Sequence, residues 1–363
     1  MPTEPAQQKL ALHRSGPNQA SLIPKIPDLI MSTEAIEAPD QESDDSNPSA
    51  ANASGRPPRV DIPETAKPPQ LQVSYALVIG LVHVAALMVA IPPMAGYLFS
   101  WSGLVLAIAG HFFYGMIGIN VCYHRLLTHR GFKCPLWLEH SLAVLGICNL
   151  QDSPARWVAI HRMHHQHSDH QPDPHTPKAG FWWSHVGWVL YRNRDHDTTS
   201  HFERYVRDLL RDPFYLKLEA RWRWFGIFAT HALLYYLIGS AVGYFMTGTL
   251  AGAVQLGLSW FFWGVMVRVV IVLHGTWAVN SLTHVIGYRN YETRDDSRNH
   301  WLIAMLTHGE GWHNNHHASP RAAMHGHRWW EYDMAWSVIR MMEIVGLATD
   351  VVRPGKTAEP ADW

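Results

Sequence analysis

Residues 250–273 read LAGAVQLGLSWFFWGVMVRVVIVL, an unbroken apolar run whose single charge is Arg268. A bilayer core takes about 20 apolar residues at 1.5 Å rise per residue, so this stretch predicts a membrane-spanning helix. Three further runs of similar length lie upstream, at 75–94, 103–123 and 224–246. Thr247-Gly248-Thr249 is nearly all that separates 224–246 from 250–273, and a short Pro/Gly-containing connection separates the first two runs. The pattern predicts an all-α integral membrane protein with four transmembrane helices in two hairpins. Long buried helices of a soluble protein are the competing reading, and four runs of spanning length weigh against it.

Lysine and arginine set the expected orientation. The tight connections at 93–100 and 247–249 hold none, whereas 124–223 holds 14, Arg125, Arg162 and Arg207 among them. By the positive-inside rule the central segment and both termini are expected in the cytoplasm. The polar, His-rich segments 124–223 and 274–350 then form one cytoplasmic helical cap. Arg268, costly inside a span, is expected to snorkel to the cytoplasmic interface, with lining of a site as the alternative. Residues 71–350 make one domain. Residues 1–70, rich in Pro, Ser, Ala and acids, cannot bury enough apolar surface to order and are expected to be a disordered tail. They lack the basic start and apolar run of a secretory signal. Residues 351–363 form a C-terminal tail.

A formal net charge of −1, with 16% charged residues, argues against a nucleic-acid partner. Cys122, Cys134 and Cys148 are odd in number and lack CxxC spacing, which argues against a disulfide framework or a cysteine zinc site. Histidine is the outlier, at 25 copies against 29 Lys plus Arg. Imidazole is a common borderline metal ligand, and the excess is patterned. The first box is HRLLTH, from His124 to His129; the second is HRMHH, with His161, His164 and His165; the third is HNNHH, with His313, His316 and His317. Spacings of i, i+3 and i+4 bring imidazoles to one face of a helix. The i, i+5 spacing of the first box suits a helix end whose last turn loosens. Eight imidazoles from three segments on one side of a membrane can surround a pair of metals, and residue type favours a redox metal such as iron while leaving zinc open. His13, His83, His140, His196, His201 and His231 are read as ordinary core or surface residues. His167, His170, His175 and His185, near the second box, are read mainly as loop residues.

From Tyr75 to Asp350 the sequence resembles the membrane fatty acyl desaturases of the stearoyl-CoA (delta-9) desaturase type, bacterial branch. The boxes HRLLTH, HRMHH and HNNHH carry the resemblance, with Asp173-Pro174-His175, residues 180–188 (GFWWSHVGW) and Gly309-Glu310-Gly311-Trp312. It implies a di-iron site holding two Fe2+ and using O2 as co-substrate. It adds His284 as a ninth ligand and Asn280 as a ligand through water; the two are i, i+4 and so share a helix face. It places Gln151, Trp157, Thr276 and Trp277 at the bend of a narrow apolar substrate tunnel. It implies no catalytic side chain beyond the metal centre.

The implied reaction is O2-dependent insertion of a cis double bond, delta-9, into a long-chain saturated fatty acyl substrate, in unsaturated fatty acid biosynthesis. An unactivated CH2–CH2 pair yields only to hydrogen abstraction by a strong oxidant, so the protein's share is to hold metals, orient the chain and exclude water. A fatty acyl or lipid hydroxylase on the same scaffold is the second reading, and a metal transporter or sensor the third. Transporters place ligands near the bilayer midplane, unlike these boxes. Animal acyl-CoA enzymes carry polar, charged residues where Val158-Ala159-Ile160 stand here, and an Asn-Asp pair where Asp152-Ser153 stand. The acyl carrier is therefore open between CoA, acyl-carrier protein and membrane lipid, with Arg192 and Arg194 as possible phosphate contacts. No HPGG segment follows the third box, so a separate electron donor of ferredoxin or cytochrome b5 type is expected. Residues 329–345 are expected to pack as core beneath the cap, with membrane docking as the alternative.

Overall fold

The computed structural model describes residues 59–355. Most of the expected N-terminal tail (1–58) and the last residues of the C-terminal one (356–363) lie outside the described residues. The remainder of the N-terminal stretch carries a single 3-10 turn at Glu64–Ala66, and Arg194 donates to the carbonyls of Thr65 and Lys67.

Helix α1 runs Val73–Met88 and α2 runs Pro92–Leu98. Ile91, which precedes Pro92, is extended (φ −76°, ψ 119°) because the proline ring crowds the α conformation of the residue before it. The chain therefore bends by 85° between the two helices, so the run expected at 75–94 as one straight span is a bent pair. Helices α3 (Trp101–Thr128), α8 (Arg223–Thr247) and α9 (Leu250–Leu282) are each long and apolar enough to cross a membrane on their own. Between α3 and α8 come α4 (Leu136–Ile147), α5 (Pro154–His167), α6 (Thr199–Leu210) and α7 (Pro213–Glu219). After α9 come α10 (Trp301–Leu306), α11 (His313–Ala318) and α12 (Met334–Ile344). Among the described residues the only β contacts are isolated bridges, such as Lys133 to Thr349. The fold is all-helical.

Local chemistry marks the helix ends. Ser100, Ser153, Thr198, Asp212, Thr249 and Asp333 each accept a backbone N–H with the side chain as N-cap. Gly248, at φ +66°, takes the left-handed conformation that ends α8 and allows the three-residue turn into α9. Helices α3 and α4 approach so closely at Gly118 that a Cβ there would stand 2.5 Å from the Gly146 backbone nitrogen. Small residues permit such contact between helix backbones. The core between α3, α5 and α9 is built from Tyr123, Leu126, Val158, Ala159, Val265 and Val269. Outward faces stay apolar, as at Leu233, Leu237, Phe245 and Ile271.

Two expectations are corrected. Arg268 does not snorkel: it is 0% exposed, and donates to Gly264 O, Asn149 Oδ1 and Cys148 O, each at 2.9 Å. Its guanidinium also lies 4.6 Å from the Tyr114 ring centroid. A buried cation is stable only when its donors are satisfied, and the end of α4 supplies the acceptors. Residues 329–345 are core only in part. Ala335 and Ile339 are buried, but Trp329 is 91% exposed, and Trp330, Tyr332, Met341 and Ile344 are also exposed.

Candidate metal centre

The second half of α3, His111–Thr128, is wound as an 18-residue π-helix. That winding explains the first box: the His129 N–H donates to the His124 carbonyl at 3.1 Å, a bond spanning five residues. With i, i+5 as one turn, both imidazoles enter the same site. Such windings are uncommon and often found at functional sites.

The nine expected histidines form two groups, in each of which the facing ring nitrogens lie within 4.8 Å of one another. One group is His124, His129, His161, His165 and His316; the other is His164, His284, His313 and His317. Helix geometry explains the division. In α5 the i, i+4 pair, His161 and His165, serves the first group, while His164 turns to the second. In α11 the roles reverse: His313 and His317 serve the second group and His316 the first. Each short helix therefore stands between the groups and contributes to both.

Carboxylates orient these rings. His124 Nδ1 lies 2.5 Å from Glu310, His164 Nδ1 3.0 Å from Asp173, His284 Nδ1 2.9 Å from Asp169 and His317 Nδ1 2.7 Å from Asp295. A proton held at Nδ1 leaves Nε2 bare and aimed inward. Arg125, fully buried, in turn bridges Glu310 and Asp333 at 2.9 Å each. Sequence reading missed the roles of Asp169, Asp295 and Glu310, and also His325, which sits 3.3 Å from Glu310. The pairing Asp169–His284 spans 115 positions, so no spacing rule exposes it.

Burial, joined by neighbouring imidazoles, pushes His161, His165, His313 and His316 well below their ordinary pKa. They are neutral at pH 7. His284 is the exception, since Asp169 overrides burial and carries it up to about 9. Despite burial, Asp173 and Glu310 are held below the usual carboxylate range, by His164 and by Arg125 respectively. Ring nitrogens converge: His124 Nε2 to His316 Nε2 at 3.1 Å, His316 Nε2 to His165 Nε2 at 2.9 Å, and His313 Nε2 to His284 Nε2 at 3.0 Å, where His284 holds a proton that a bound cation would displace. The Nε2 atoms of His164 and His317 are buried with no partner. Orphaned buried nitrogens are unfavourable unless a cation lies among them. The donor set fits two metal ions of borderline softness.

A cavity runs along this centre. His124 and His161 of the first group and His313 of the second line it, together with Asn280. Gln151, Trp157, Thr276 and Trp277 line it as well. Trp157 Nε1 donates to Gln151 Oε1 at 3.2 Å, and Gln151 Nε2 donates to Thr276 Oγ1 at 3.0 Å. The Trp157 ring stacks on His161 at 5.0 Å between centroids, tying the cavity wall to the metal group. Arg268 fixes the loop that presents Gln151, through its bonds to Cys148 and Asn149. Toward one end of the cavity Tyr75 donates to Asp152 at 2.7 Å, and Arg156 pairs with Asp197 at 3.1 Å. Arg192 is paired with Asp197.

Of the histidines read as ordinary, His175 stands 3.9 Å from Asp173 beside His164, backing the second group. His140 pairs with Asp212 away from the centre.

Comparison with known proteins agrees with this geometry. The family described as "Fatty acid desaturase" matches residues 99–343. The chain is 41% identical over 288 residues to an sn-1 stearoyl-lipid 9-desaturase of Anabaena variabilis, covering 79% of this chain and 96% of that protein. It is 39% identical over 292 residues to an sn-2 palmitoyl-lipid 9-desaturase of Nostoc sp. (strain 36), covering 80% and 93%. An acyl-CoA 5-desaturase of Anemone leveillei is 39% identical over 284 residues, covering 78% and 80%. The chain belongs to the fatty acid desaturase family and is an oxidoreductase that desaturates fatty acyl substrates.

Proposed function

We propose that this protein inserts a cis delta-9 double bond into a long-chain acyl group esterified in a membrane lipid, with two irons and O2. The observation that carries the reading is one cavity whose wall includes imidazoles of both histidine groups, which exposes a threaded chain to two metals at once. His124, His129, His161, His165 and His316 would hold one iron; His164, His284, His313 and His317 the other, with Asn280 supporting it through water. Two ferrous ions held there would supply, with O2, two electrons and two protons, the oxidising power to remove a hydrogen from each of two neighbouring methylenes with release of two waters.

The chain's own residues do the rest. Glu310, Asp173, Asp169 and Asp295 hold protons at Nδ1 so that Nε2 faces inward. Trp157, Gln151, Thr276 and Trp277 bound the acyl chain and select which carbons pass the centre, since about 1 Å of misplacement costs on the order of 10²-fold in rate. The apolar wall excludes water. Electrons come from a separate donor of ferredoxin or cytochrome b5 type. The bent pair α1–α2 would count as a fourth span, with the cap in the cytoplasm, in keeping with the Lys/Arg excess of 124–223.

A lipid carrier is favoured over CoA on two grounds. Arg192 and Arg194, the candidate phosphate contacts, are engaged with Asp197 and with backbone carbonyls. Two close relatives are named for lipid substrates. Expression in a host lacking unsaturated fatty acids, with acyl chains analysed separately in lipid and thioester pools during a short pulse, tests the reading. A delta-9 alkene arising first in lipid is expected. Alkene first in the thioester pool overturns the carrier; a retained hydroxyl, or no new product, overturns the reaction.

A further inference from the structure

Three histidines outside the metal groups form a line beside Trp277. His83 of α1 contacts His274 of α9 through their Nε2 atoms at 3.2 Å. His274 Nδ1 contacts Nε2 of His185 at 3.0 Å, and His185 Nδ1 contacts Ser281 Oγ at 3.0 Å. The line ends on a carbonyl at one side, where His83 Nδ1 donates to Ile79 O at 2.7 Å. At the other it ends on the Ser281 hydroxyl, whose single proton is shared between His185 Nδ1 and Trp277 O, 2.7 Å away. Because the His274 contacts use its two different ring nitrogens, the arrangement is a hydrogen-bonded chain, not a set of donors converging on one ion.

The chain surrounds one side chain. The Trp277 ring is stacked with His83 (6.2 Å, 3°) and meets His274 and His185 edge-on at 5.2 and 5.8 Å. Trp277 is 3% exposed and lines the cavity, next to Thr276 in the bonded set that includes Gln151 and Trp157. His274, Trp277 and Ser281 are spaced i, i+3 and i+7, so they share one face of α9. The chain places three imidazoles against the Trp277 ring. With it, α1, α9 and the turn Trp183–Gly187 are locked together behind the ring. His274 is exposed and His83 and His185 are half-buried.

We infer that His83, His274 and His185 are positioning residues that set the Trp277 wall of the cavity and thereby the carbon pair that is desaturated. The inference rests on the desaturase reading. A small rotation of Trp277 would shift the acyl chain past the metals by a methylene without touching a metal ligand. It would therefore change product position, not metal content.

The test is product analysis by double-bond position for wild type, His274→Phe, His274→Gln and His83→Phe, with iron measured in each purified protein. Phenylalanine keeps ring volume but cuts both links; glutamine keeps a donor and an acceptor. The expected result is wild-type iron in all four. Alkene is expected at neighbouring positions in both phenylalanine variants, with turnover lower by on the order of tenfold or more, and return toward the wild-type position in His274→Gln. Active phenylalanine variants with the wild-type position would overturn the inference, as would inactivity of His274→Phe that glutamine does not relieve. Absence of alkene from wild type overturns the desaturase reading itself, and with it this inference.

Discussion

At His164 two kinds of contact separate cleanly: Nε2 faces the second histidine group, and Nδ1 is held 3.0 Å from Asp173. Removing the inward nitrogen and removing its orienting partner should differ in size. His164→Ala is expected to abolish tight iron at that group, whereas Asp173→Asn should weaken retention by about 10–100-fold. Iron measured after graded chelation distinguishes them, and full iron in His164→Ala would contradict the assignment. Glu219, at the end of α7, gives a pH test. Burial pushes its carboxyl up to about 7, with Asp152 pushing the same way and Ser153 and Arg156 opposing. A carboxyl that binds its proton more tightly in the fold stabilises the fold below its ordinary range and loses that contribution as pH rises through about 7. The buried histidines, held low in the fold, act the other way below about pH 6.5. The Glu219 contribution is therefore read as the difference between wild type and Glu219→Gln in thermal unfolding in detergent. That difference should shift against wild type by on the order of 1–3 kcal/mol between about pH 5 and pH 7; a difference that does not change with pH would refute it. At this scale the boxes were readable because HxxHH spacing is local. Asp169 and Asp295 were not, because their partners His284 and His317 lie far off in sequence and only tertiary folding joins them.

Helices turn these residues into a site. The π-winding of α3 brings His124 and His129 to one group, and the i, i+4 pairs of α5 and α11 serve opposite groups. Close approach of α3 to α4 at Gly118 fixes the register of the π segment. Gly118→Ala would drive a methyl group into the Gly146 backbone, which cannot yield as a side-chain tip can. A loss of about 1–3 kcal/mol is expected from such overpacking, together with loss of first-group iron before second-group iron. Equal loss from both, or none, would argue against the register role. The apolar runs forecast the long helices well, since each needs only composition and length. The 85° bend at Val89–Ile91 was hidden inside a run read as continuous, although Pro92-Pro93 was its visible cause. Arg268 was misread for a different reason. Besides Gly264 of its own helix, its acceptors are Cys148 and Asn149, in the loop after α4 and about 120 positions away, so no local pattern reveals them.

Across the whole molecule, long apolar helices meet a His-rich cap at the metal centre. α9 carries the connection: it contributes outward apolar residues such as Ile271, the cavity residues Thr276 and Trp277, and Asn280. His284 follows within two residues of its end. Under the proposed roles, one rigid element couples acyl position to the metals. The exposed residues Trp301, Met305, Trp329 and Trp330 on the cap belong to the same scale. Aromatic side chains of this kind suit a membrane interface, and in 329–345 the buried apolar residues are Ala335 and Ile339.

The central claim is that the five-histidine and four-histidine groups each hold one iron and act together. Its most direct test is iron per chain measured alongside alkene formation in the same purified samples, loaded to different extents. Two irons per chain at full activity are predicted, with activity rising only as the second iron enters. Full activity at one iron per chain, or in protein containing zinc and no iron, would contradict it.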